Sequence, residues 1–90
     1  MKLDLNKIVF TTKNIIEGGS IIYVYHDLSD DWQFFGKDKE NIDEDEARIL
    51  SIKEILEMDI TLKEVLISLP VGFEAYRSSK NSQWIFSLSR

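Results

Sequence analysis

Ile8 and Phe10 alternate with Lys7 and Val9, the period of two that predicts a short first strand. The stretch Thr11 to Gly19 then reads as a short helix, with a Thr to cap its start and Gly18-Gly19 to supply the left-handed stop. Ile21 to Tyr25 (IIYVY) is β-branched and aromatic, the composition of a strand buried on at least part of both faces. Trp32-Gln33-Phe34-Phe35 is a second run of the same kind. Between them, His26-Asp27-Leu28-Ser29-Asp30-Asp31 is turn chemistry, because Asp and Ser bond their own backbone. The two runs therefore predict a β-hairpin.

Further along, Arg48-Ile49-Leu50 suggests a brief strand leading into two helices. Ser51-Ile52-Lys53-Glu54 and Thr61-Leu62-Lys63-Glu64 both have the form of a capping box followed by an apolar pair. Ile52, Ile55 and Leu56 share one face of the first helix; Leu62, Val65, Leu66 and Leu69 share one face of the second. Met58-Asp59-Ile60 joins them, and Pro70 stops the second helix by disfavouring α geometry at Leu69. From Gly72 the period returns to two. Phe73, Ala75 and Arg77 oppose Glu74 and Tyr76, and Trp84, Phe86 and Leu88 oppose Ile85 and Ser87, with the polar turn Ser78–Ser82 between. The pattern predicts an α+β fold: an antiparallel sheet of two hairpins, about four to five strands, with short helices packed on one face. Residues 1–90 form one domain on this reading.

Composition supports a core without staples. Hydrophobic residues make up 43% of the chain and cysteine is absent, which favours a reducing, cytoplasmic setting over a secreted one. The longest apolar run, Ile21 to Tyr25, is far shorter than the ~20 residues of a membrane span, and no leader pattern opens the chain. The net charge of −5 is concentrated: Asp38 to Glu46 hold six acids and one base, while the rest carries ten acids and ten bases. Nucleic-acid binding through clustered Lys and Arg is disfavoured on this balance.

Little catalytic or metal chemistry is legible. His26 is the sole histidine, so zinc sites built from Cys and His are excluded and a Ser-His-Asp triad lacks its nucleophile elbow. His26, Asp27, Asp30 and Asp31 could surround a hard cation, but the spacing lacks the Gly and distal Glu of a calcium loop, and turn formation explains it. Gly18-Gly19 lacks the Lys-Ser/Thr of a phosphate loop. No catalytic residue, metal or cofactor is expected. The candidates for contact with a partner are Asp43, Glu44, Asp45 and Glu46 as a steering surface for a basic protein, together with Asp30 and Asp31. Arg77, on an otherwise apolar strand face, completes the set; the plainer role for it is a salt bridge to Glu74 or a nearby acid. A small-ligand groove between sheet and helices is the competing reading. Homodimerisation through a sheet edge or a Trp is compatible with the pattern.

Phe10-Thr11-Thr12, Ile15, Glu17-Gly18-Gly19, Tyr23-Val24-Tyr25-His26-Asp27, Asp31-Trp32-Gln33-Phe34, Asp59-Ile60-Thr61-Leu62 and Leu69-Pro70-Val71-Gly72-Phe73 stand in an order that resembles a family of small bacterial domains of unknown function. Some members of that family are classed as immunity proteins of polymorphic toxin systems. The likeness runs from about Phe10 to Phe73. It implies an α+β domain without known catalytic residues and, for an immunity role, a basic toxin as partner.

Overall fold

The computed structural model describes residues 3–37 and 39–88. Asp38, counted above in the acidic run, lies outside the described residues. The elements run β1 (Ile8–Thr12), α1 (Lys13–Ile16), β2 (Tyr23–His26), β3 (Trp32–Phe35), a 3-10 turn (Glu44–Glu46), β4 (Ala47–Ser51), α2 (Ile52–Met58), α3 (Leu62–Ser68), β5 (Phe73–Tyr76) and β6 (Ile85–Leu88). They form a six-stranded sheet in the order β4-β1-β3-β2-β5-β6.

Both expected hairpins are present: β2 pairs antiparallel with β3, and β5 with β6. They join side by side through an antiparallel β2–β5 pairing. The sheet differs from expectation in two ways. It has one or two strands more than foreseen, and β1 runs parallel to β3 with Phe10 opposite Gln33. The reason is spatial. The chain leaves a gap between β1 and β2, and β3 returns into that gap, so its neighbour β1 points the same way. β4 then pairs antiparallel with the free side of β1 over five residues.

Two local expectations also change. Thr11 and Thr12 complete β1 instead of opening a helix, so α1 is a single turn. The Thr12 side chain makes no cap hydrogen bond, whereas Gly18 does end the turn as expected, at φ 110° and with its N–H on the Ile15 carbonyl. In α2 the capping box forms as read: the Glu54 N–H donates to Ser51 Oγ at 3.2 Å, and the Ser51 N–H donates to Glu54 Oε1 at 3.0 Å. In α3 it does not. Thr61 has helical dihedrals and makes no cap bond, because its hydroxyl is engaged with Asp59 and Arg77.

α2 and α3 carry the chain from the β4 edge to the far side of β2 and cover one face of the sheet. Beneath them lie the rows Phe34–Val24–Ala75–Phe86 and Trp32–His26–Phe73–Leu88, each set by strand register. Val9, Ile15, Val24, Phe34, Ile55, Leu62 and Val65 are fully buried there and form the core. No helix among the described residues is long and apolar enough to cross a membrane.

Candidate functional site

Strand alternation sends the opposite set of side chains to the other face, and neither α2 nor α3 covers it. One row across this face is Ile49–Phe10–Gln33–Tyr25–Glu74–Ser87. A second row runs Phe35–Tyr23–Tyr76–Ile85. Phe10, Ile49, Tyr76 and Ile85 are each 38–61% exposed, so a mixed aromatic and aliphatic surface faces solvent. Tyr25 and Phe35 meet edge to face with centroids 5.8 Å apart, which fixes both rings.

The loop from β3 to β4 rises over this surface. Lys39 lies above the Tyr23 and Tyr25 rings, its Nζ 4.4 Å and 5.1 Å from their centroids. The loop then returns to β4 through the acidic turn, at the end of the sheet where β1 stops. Glu46 accepts the Asp43 N–H at 3.4 Å, and its own N–H bonds the Asp43 carbonyl. Arg48 anchors the turn by donating to the Asp45 and Ala47 carbonyls at 2.7 and 2.9 Å. Asp43, Glu44 and Asp45 are exposed and Glu46 is half-buried. The four expected contact acids therefore sit together, and the bonds from Arg48 to the turn's backbone leave Glu44 and Asp45 outside the ion pairs among the described residues.

Asp30 and Asp31 lie at the opposite end of β2 and β3, away from the acidic turn. The loop here is held by Asp27, whose Oδ1 accepts the Ser29 and Asp31 N–H groups. Asp30 adopts φ 67°, a left-handed conformation that Asp tolerates. Its carboxylate bridges two bases: Oδ1 to His26 Nε2 at 2.6 Å, Oδ2 to Lys7 Nζ at 3.2 Å. These hold the Asp30 carboxyl below the usual carboxylate range, the His26 hydrogen bond first and Lys7 second. His26 also turns Nδ1 to the Leu69 carbonyl at 2.8 Å and stacks on Trp32 at 3.8 Å. Both ring nitrogens face acceptor oxygens. A half-open cavity of about 570 Å³ lies beside this cluster, walled by Trp32, Ile52, Leu66 and Val71 and edged by Lys7 and Asp30.

Arg77 is not available to a partner. Its side chain is 1% exposed, and its guanidinium donates to Asp59 Oδ2 at 2.6 Å, to the Ile21 carbonyl through Nε and Nη2, and to Thr61 Oγ1 at 3.0 Å. Trp84 stacks on its face, 4.1 Å from centroid to Cζ. The expected contact role is overturned by this burial. Its plainer role holds, with Asp59 as the acid and Glu74 on the opposite face of the strand. Sequence reasoning missed Lys7, Lys39 and the open aromatic face. The alternation Tyr23-Val24-Tyr25 puts two rings on the face opposite a valine, without showing which face the helices cover. No protein family, curated protein or solved structure matches this chain.

Proposed function

We propose that this chain is a non-enzymatic protein-binding module of the immunity type, which meets a basic protein partner with its open sheet face and acidic turn. The observation that carries this reading is the pairing of the two features. An apolar and aromatic surface left uncovered by the helices supplies area to bury on association, and the neighbouring carboxylates supply charge to attract and orient. Buried aromatic anchors with a charged rim are the composition of an energetic interface. The acidic rim would repel nucleic-acid phosphates, which argues against stacking bases on the same rings. If the sequence order that resembles immunity-type domains reflects kinship, the class of partner would be a toxin with a basic surface. The lack of cysteine suits a cytoplasmic antidote.

The test is charge reversal at Asp43, Glu44, Asp45 and Glu46 with a partner captured from the native cell. Association should slow and its dependence on salt should flatten, because steering by exposed charge is screened over roughly 8–10 Å. An association rate indifferent to the reversal would remove the acidic turn from the interface.

One observation favours a second reading, a small-ligand or regulatory domain: the cavity beside His26 has the dimensions of a ligand site and mostly apolar walls. Thermal stabilisation by a metabolite, with none by any protein, would favour it.

A further inference from the structure

We propose that Tyr23 and Tyr25 form a cation subsite on the open sheet face, held in cis by Lys39 and taken over by an arginine or lysine side chain of the basic partner. This rests on the protein-binding reading above and names the chemistry by which that face recognises its partner.

The two tyrosines stand two residues apart on β2, so their rings lie side by side on one face. Lys39 Nζ is within the ~6 Å reach of a cation–π contact to both. The ammonium is held above its ordinary value, first by hydrogen bonding to Tyr25, and burial opposes this less strongly. The site therefore already contains the kind of group it is proposed to bind. Glu74 stands opposite Tyr25 in the β2–β5 register and adds a carboxylate to the same patch.

Lys39 is well suited to give way. It belongs to the loop, and its N–H bonds the Gly36 carbonyl in a turn, outside the sheet ladder. It is also the one base in the acidic segment. Its Nζ already lies 3.7 Å from Glu40 Oε1, so an ammonium lifted off the rings has a carboxylate beside it. Replacing one cation by another over the rings preserves the cation–π contact, and the partner's other charges then meet the acidic turn.

The probe is a short peptide of alternating Arg and Gly, titrated into the whole chain while the ring resonances of the tyrosines are followed by NMR. Lys39→Ala should bind it about two- to fivefold more tightly than the wild type, the scale of one exposed cation–π contact. The largest ring shifts should fall on Tyr23 and Tyr25. Tyr23→Leu together with Tyr25→Leu in the Lys39→Ala background should abolish the gain; if it survives, the gain came from net charge and the subsite is refuted. Should the leucine variant fail to fold, the ring shifts of Lys39→Ala decide alone, and shifts centred elsewhere, or no tighter binding, refute the subsite. Charge reversal at Asp43–Glu46 separates the two ideas. Weaker peptide binding on reversal, with no gain in Lys39→Ala, keeps the acidic docking surface and removes the subsite. A gain at Lys39 with no response to reversal does the opposite.

Discussion

Arg77 and Asp59 are 18 residues apart in sequence and meet just past the end of β5 with almost no exposure. A buried pair of this kind contributes little beyond what apolar residues of equal volume would, but removing one partner strands the other. Asp59→Ala should therefore cost about 3–5 kcal/mol in urea unfolding, a large share of the ~5–15 kcal/mol typical of a domain. Replacing both residues together, with Asp59→Leu and Arg77→Met, should cost less. A loss below about 1 kcal/mol for Asp59→Ala would mean that the guanidinium finds water, contrary to its burial. Asp30 makes a different prediction, because its carboxylate is exposed and its effect is one of pH. Its folded-state value is depressed by His26 and Lys7. The stabilisation is thus present above the unfolded carboxylate value of about 3.9 and is lost as pH falls through the lower folded value. Asp30→Asn keeps the left-handed backbone accessible. Its melting temperature should lie below that of the wild type at neutral pH, with the gap closing in acid. A gap as wide at low pH as at neutral pH would show that the bridge is not electrostatic.

The two capping sequences look alike and do different things. Ser51 caps α2 with a reciprocal pair of bonds, so Ser51→Ala should cost about 0.5–2 kcal/mol and act on that helix. Thr61→Ala should act through the Arg77–Asp59 network, since the Thr61 hydroxyl accepts from Arg77 and donates to Asp59. The check is coupling. Thr61→Ala should be strongly non-additive with Asp59→Ala, and Ser51→Ala should be additive with both. The contrast also marks what the sequence could and could not convey. Elements with local causes were legible: the β2–β3 turn in its Asp and Ser residues, α2 in its cap and apolar spacing, the end of α3 in Pro70, and the β5 and β6 faces in their alternation. Long-range pairings were not. The insertion of β3 beside β1 leaves no mark in either segment. Thr61 differs from Ser51 because Asp59, two residues before it, and an arginine 16 residues on both engage its hydroxyl. The acidic turn was legible as charge, while its neighbouring aromatic face was hidden because β2 and β3 carry large apolar residues on both sides and spacing alone cannot tell which side the helices take.

At the scale of the molecule, the six strands and three short helices of the described residues pack to a Cα radius of gyration of 12.0 Å, about that expected for a compact chain of this length. The helices seal one side of the sheet, and the core residues gather there. The other side keeps its rings and aliphatic side chains at the surface, and the acidic turn stands at the end of the sheet where β1 stops. On the function proposed above, this asymmetry divides the molecule into a structural face and a face for binding. Hydroxyl-radical footprinting of the complex with the captured partner tests it directly, by reading side-chain reactivity on both faces at once. Tyr23, Tyr25, Tyr76 and Phe10 should lose most of their reactivity on binding, while Met58, at the exposed end of α2, stays as reactive as in the free chain. Protection of Met58 and of the residues around the His26 cavity, with the tyrosines unchanged, would contradict it.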